Sequence, residues 1–406
     1  MKTITFLPEG EVTTPRGFRA AGVATGVKTN GQRDLALIVS DVPAVAAGVF
    51  TTNRVHAYNI DRNRAVLAQS PEAQAIVINS GNANVATGEQ GIADTEEIAS
   101  RAARLLGLSP DLVLTSSTGV IGVPLDMPKI RAGLEQAVAV LSPTGGLAAA
   151  EGILTTDTVV KHGAVQFALA QVTVTLGGIA KGAGMIHPQM ATMLAYLTTD
   201  AAVSPPLLHA ALSEAVQASF NCISVDGETS TSDTVLILAN GLAGNPAVDD
   251  PEGEDYRTFA VALRQLCQHL ARAIARDGEG ATKLITVAVR GARTVEEARQ
   301  VARTVAGSVL VKTTLAGNHP NWGRIAAAVG RAGVEISLER MDIVLNGFPV
   351  FRDGAPVPFD RETVSDSLRA EKVEIVVDLH QGEAEGTAWG CDMTPEYVEI
   401  NAEYVT

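Results

Sequence analysis

Residues 181–194 read KGAGMIHPQMATML, and the rest of the chain is best understood from them. Lys181 is the only permanent charge in this stretch and Thr192 the only hydroxyl. Strand-like apolar runs flank it at 172–179 and 193–197. Gly182 and Gly184 let the backbone turn tightly or approach another group closely. An exposed loop of this length normally carries more charge, so the composition points to a closed space holding Lys181 and Thr192. A phosphate loop needs its glycines first and a GK[ST] ending, whereas here the lysine comes first. Two readings stay open on these residues alone: an active-site loop, or a core hairpin with a stray lysine.

Outward from the loop, 406 residues at 46 % apolar content can bury a large core and are expected to form two domains. A formal charge of −14 without a basic stripe argues against a nucleic-acid partner. Cys222, Cys267 and Cys391 are far apart and odd in number, which suits a reducing cytoplasm without disulfides. They lack zinc-ligand spacing. The apolar stretch before Pro8 and Glu9 is too short for a signal peptide. Residues 163–180 are uncharged, but Gln166, Gln171, Thr173 and Thr175 make them a poor membrane span. A soluble cytoplasmic protein is expected.

Strands are expected at 34–40, 46–52 and 75–80. The polar segment 81–88, with Asn82, Asn84 and Thr87, either lines a site or serves turn chemistry. Asp94 and Glu97 suggest a capping box for a helix ending at Gly107. DLVLTSSTGVIG, 111–122, starts as a strand and ends in hydroxyls and Gly119, where backbone N–H groups can face an anion. A helix follows at 126–141, then polar GILTTDT at 152–158 and strands at 165–169 and 172–179. Past the loop, Ser204 and Pro205 open a helix that ends near Phe220. CISVDGETSTSDT, 222–234, carries Asp226, Glu228 and Asp233 without the calcium-loop pattern, so a charged loop network is expected rather than a metal. A helix at 254–276 leads into RDGEGATK. There Glu279, between two glycines, is either a presented side chain or a solvated acidic turn. From 284 the texture shortens. LITVAVR, VLVKTT, VEISLER, DIVLNG and VEIVVDL read as strands, with helices opened by Thr294 and Glu297, within HPNWGRIAAAVGRAG, and near 362–369. This rhythm suggests a smaller α/β domain, 281–406, after a core domain, 1–280. The terminal NAEYVT is short for a helix.

KGAGM, Pro188 and the run from Met190 to Leu194 resemble the self-cleavage site of the ArgJ family, the glutamate N-acetyltransferases also called ornithine acetyltransferases. INSGNAN, TSSTGVIG, LTTDT, VDGETSTSD, RDGEGATK, HPNWGRI, WGCD and NAEYVT extend the resemblance over nearly the whole chain. Leu154, Glu228 and Ser232 depart from residues common in the family. The resemblance implies an α+β fold: a layered αββα-type core of the self-processing N-terminal-threonine kind, with a smaller α/β C-terminal domain. It implies a cut between Ala191 and Thr192, and alpha and beta chains assembled as an α2β2 heterotetramer. Thr192 would be the nucleophile, and Thr118 with the Gly119 N–H the oxyanion hole. Thr155, Lys181, Thr192, Glu279, Asn401 and Thr406 would bind substrate, the last two returning from the chain's end.

The chemistry follows from the new terminus. A threonine hydroxyl needs a base to take its proton, and an N-terminal threonine carries one in its own α-amine, with a reference pKa of about 8. Before cleavage that nitrogen is an amide and no base. The expected reaction moves acetyl from N2-acetyl-L-ornithine to L-glutamate through an acetyl-threonine ester. No cofactor is needed, and acetyl-CoA is a further co-substrate in the bifunctional members this chain resembles. A self-cleaved threonine alone would equally suit an N-terminal-nucleophile amidase or aminopeptidase.

Overall fold

The computed structural model describes residues 3–187 and 193–403. The strands of the first half are β1 (Thr5–Leu7), β2 (Phe18–Val23), β3 (Leu35–Phe50), β4 (Glu72–Asn82), β5 (Val113–Val120), β6 (Lys161–Leu169), β7 (Val172–Lys181), β8 (Leu194–Thr199), β9 (Ile223–Ser224) and β10 (Thr234–Ala239). All but β9 belong to one nine-stranded sheet, ordered β1-β6-β7-β8-β10-β3-β4-β5 with β2 beside β3.

β3 is the bend in this sheet. Its first half pairs with β2 and β4 and its second half with β10, and its register with β4 shifts between Val39 and Ala44. Pro43 lies in that shift, where a missing N–H costs no ladder bond. The strands of both halves bury one face in common. Ala36, Ile38, Ile76 and Ile78 cluster with Ile179, Leu194, Tyr196 and Leu236. Alternate residues of the first half, Leu35, Leu37 and Val39, pack under the helices Gly88–Leu106 and Met127–Ala139 through Ile98, Ile130 and Leu134. On the other half, Val235, Ile237 and Leu197 pack under the helices Pro205–Gln217 and Glu254–Arg276. Period-2 strands and 3.6-period helices thus supply matching apolar faces.

The later strands are β11 (Leu284–Ala292), β12 (Asp342–Leu345), β13 (Phe348–Arg352), β14 (Ala355–Pro356), β15 (Lys372–Asp378) and β16 (Ala384–Cys391). They form a seven-stranded sheet, ordered β14-β13-β12-β15-β11-β16-β9, whose edge strand β9 comes from the earlier part of the chain. Ile285 and Val287 share one core with Leu263, Leu266 and Leu270 of the long helix.

Several local expectations are corrected. The runs at 34–40 and 46–52 are one strand, β3. VLVKTT is not a strand but part of the helix Val309–Ala316, with Val311, Lys312, Thr314 and Leu315 buried. Tertiary burial at helical spacing overrides the strand preference of branched residues there. VEISLER forms no strand, only a short 3-10 turn, Leu338–Arg340. The first long helix starts at Gly88, so Asp94 sits inside it and accepts from Gln90 Nε2 rather than capping. Ser204 occupies the N-cap position but makes no side-chain cap bond. That helix stops at Gln217, and a 3-10 turn, Phe220–Cys222, follows. The chain's end is helical from Pro395 to Glu403, because the helix begins upstream of the terminal motif. Thr294 does cap its helix, accepting the Glu297 N–H at 3.1 Å, and Gly107 closes another in the left-handed conformation. Among the described residues no helix is long and apolar enough to cross a membrane.

Candidate active site

Two strand ends make the first wall. β4 and β5 run parallel, with Ser80 opposite Thr118 and Gly81 opposite Gly119. Gly119 has φ +129°, and a Cβ there would lie 2.3 Å from the Gly81 carbonyl carbon. Only glycine fits that backbone and that approach. The Asn84 N–H donates to Ser117 Oγ at 3.0 Å, and Asn79 Nδ2 to the Asn82 carbonyl at 2.7 Å. The backbone of the polar segment is thus tied to side chains of both strands.

The second wall is the start of the 181–194 stretch. Lys181 ends β7 and pairs with Leu194 of β8, so the stretch connects two antiparallel core strands. Its ammonium is nevertheless committed, donating to Thr155 Oγ1 at 2.7 Å. Behind it lies a buried charge network. Asp157 accepts from Lys161 Nζ and the Gly182 N–H, both at 2.6 Å, and stands 4.0 Å from Lys181 Nζ. Lys161 also pairs with Asp277 at 2.6 Å. Burial alone would raise the Asp157 carboxyl, but Lys161, Lys181 and its hydrogen bonds prevail and bring it down to about 2. Burial lowers Lys181, with Asp157 opposing.

Carboxylates grip the backbone on both sides of 188–192. Asp226 accepts the Met185 N–H at 2.5 Å and the Ile186 N–H at 2.9 Å. Asp233 accepts the Met193 N–H at 2.9 Å. Burial pushes the Asp233 carboxyl well up, against the pull of Met193 N–H and Lys181.

The third wall comes from the chain's end. The Glu279 N–H donates to the Ala183 carbonyl at 3.0 Å, and its carboxylate lies where a Cβ on Gly184 would collide at 2.4 Å. Asn401 Nδ2 donates to Glu279 Oε2 at 2.8 Å. Thr394 Oγ1 donates to the Gly280 carbonyl at 2.7 Å, docking the C-terminal helix on this turn.

Thr118, Gly119, Thr155, Lys181, Glu279 and Asn401 thus line one cavity of about 140 Å³. It brings a cation, a carboxylate, hydroxyls and Gly119 into one small space. Ala191, Thr192 and Thr406 lie outside the described residues. Among the described residues no group of three or more His, Cys, Asp or Glu is placed to hold a metal. Sequence reasoning quoted LTTDT and RDGEG but overlooked Asp157, Asp277 and their partner Lys161. The sequence gives no role to Lys28, whose ammonium donates to the Leu154 carbonyl at 2.6 Å and the Arg33 carbonyl at 2.7 Å. Burial brings Lys28 down to about 8.

The chain belongs to the ArgJ family, whose model matches residues 19–406. It is 52 % identical to an arginine biosynthesis bifunctional protein ArgJ of Symbiobacterium thermophilum, over 98 % of this chain and 99 % of that one. A protein of the same description from Synechococcus is also 52 % identical, over 98 % of each. The crystal structure of an arginine biosynthesis bifunctional protein argJ from Bacillus halodurans is similar at TM-score 0.50 and 46 % identity, covering 52 % of this chain and 98 % of that chain.

Proposed function

We propose that this ArgJ-family enzyme transfers acetyl from N2-acetyl-L-ornithine to L-glutamate in arginine biosynthesis, through an acetyl ester on Thr192. The observation that carries the reading is the single cavity holding Thr118, Gly119, Thr155, Lys181, Glu279 and Asn401, with carboxylates fixing the backbone on both sides of 188–192.

The chain first cuts itself between Ala191 and Thr192. The Thr192 hydroxyl attacks the Ala191 carbonyl, the scissile C–N bond breaks as the nitrogen takes the proton, and water hydrolyses the ester. A solved relative matched along nearly all its length by about half of this chain supports such halves. In the transfer, the Thr192 α-amine takes the hydroxyl proton as oxygen attacks the acetyl carbonyl. The Thr118 hydroxyl and Gly119 N–H donate to the oxyanion. The C–N bond breaks, the departing ornithine nitrogen takes that proton, and the ester remains. The α-amine of glutamate then attacks it by the reverse route. Lys181 receives the substrate α-carboxylate, Thr155 orients it, and Glu279 faces the δ-ammonium, with Asn401 and Thr406 closing the end.

The four-layered αββα core, the units 1–280 and 281–406, and the α2β2 assembly belong to the same reading. So does acetyl-CoA as a second, slower donor for glutamate. The test is turnover with each donor beside the Thr192→Ala variant. Equal product from enzyme and variant with acetylornithine rejects the transferase. Product from acetylornithine but not from acetyl-CoA leaves a single-donor enzyme. Acetate release unaffected by glutamate identifies a hydrolase instead.

A further inference from the structure

A second cavity, of about 990 Å³, is lined by residues that neighbour those of the first in the chain. Gly184, Met185 and Ser230 to Ser232 line the smaller cavity, while His187 and Thr229, from the same two segments, line the larger. Its opposite wall is cationic. Arg303 sits on the helix Val295–Ala306, and Arg331 directly follows the helix Trp322–Gly330. Arg303 donates to the neutral Gln300 Oε1 at 2.8 Å, and Arg331 to the Thr304 carbonyl at 3.5 Å. Neither guanidinium has a carboxylate partner among the described residues. Burial lowers Arg303, Cys222 opposes that shift, and the like charge of Arg299 adds to it. His187 Nδ1 lies 3.2 Å from Ser224 Oγ, and a Cβ on Gly307 would come within 3.1 Å of that hydroxyl. In a chain of net charge −14, a cavity wall with two guanidiniums that lack a carboxylate partner among the described residues is a local exception.

We propose that this cavity binds a phosphate-bearing small molecule, with its phosphates on Arg303 and Arg331. Guanidinium forks match phosphate oxygens two at a time, and the volume falls in the range of cofactor sites. A single carboxylate would answer only one of the two arginines. The same chemistry has two sources, a free polyphosphate anion or the nucleotide portion of a carrier such as coenzyme A. Because His187 and Thr229 continue into the segments around the smaller cavity, a ligand here touches the chain that shapes it.

The experiment is calorimetric titration of the full-length enzyme, as purified, with pyrophosphate and separately with coenzyme A, beside the Arg303→Gln/Arg331→Gln variant. Both ligands bind the wild type, and the variant binds each roughly tenfold or more weakly. Affinity much greater for coenzyme A than for pyrophosphate assigns the site to a nucleotide carrier, and similar affinity to phosphate itself. The variant's kcat/KM with acetylornithine and glutamate stays within about twofold, which also shows that it is folded. Binding of neither ligand by the wild type, or equal binding by wild type and variant, overturns the proposal. Because binding is read directly, neither result depends on whether the transferase reading holds.

Discussion

Asn401 Nδ2 donates to Glu279 Oε2 at 2.8 Å, joining side chains 122 positions apart in the chain. This bond and the Thr394–Gly280 contact fasten the C-terminal helix over the small cavity. Asn401→Ala leaves Glu279 without its amide partner. Hydrogen bonds to charged groups are worth about 1.5–3 kcal/mol, so KM for acetylornithine rises roughly tenfold or more. The cut at Ala191–Thr192 proceeds as before on denaturing gels. An unchanged KM would mean the helix merely covers the site.

Gly119→Ala tests the first wall. The added Cβ would stand 2.3 Å from the Gly81 carbonyl carbon, at a φ of +129° that disfavours alanine. The N–H offered to the oxyanion is displaced, and kcat falls by about 10²–10³. Steady-state kinetics on soluble variant protein reads this directly. A full rate would remove Gly119 from the chemistry.

Asp157→Asn tests the buried network. The change leaves Lys181 without its nearest counter-charge and Lys161 with Asp277 alone. Breaking such a buried arrangement costs about 3–5 kcal/mol. The pH dependence has a definite sign. Because folding depresses the Asp157 carboxyl to about 2, its stabilisation is full above the unfolded value near pH 4. It is lost as pH falls from about 4 through about 2. Urea denaturation from pH 7 to pH 2 therefore shows the wild-type advantage over the variant shrinking in that acid window. A constant difference across it would contradict the assigned charge on Asp157.

Much of the site could be read from the sequence because its chemistry is local. A hydroxyl-rich strand end closed by Gly119 is contained in one short segment, and a lysine among glycines in another. The apolar runs beside them mark the flanking strands, which are buried along most of their length. The charge network was not legible in that way, since Lys161 meets Asp277 across 116 positions. Neither was the helix Val309–Ala316, whose branched residues favour a strand until Val311 and Leu315 are buried together. The bend of β3 is not legible either: 34–40 and 46–52 read as separate strands because the partners that pair with both are remote in sequence.

The most direct test of the account is intact mass analysis of the enzyme mixed with N2-acetyl-L-ornithine, before glutamate is added. The account predicts two chains, 1–191 and 192–406, with a single acetyl group on the second. That group leaves when glutamate is added and maps to Thr192 in peptide digests. Full activity in an uncut chain, or turnover with no acetylated 192–406 chain at any time, would contradict it.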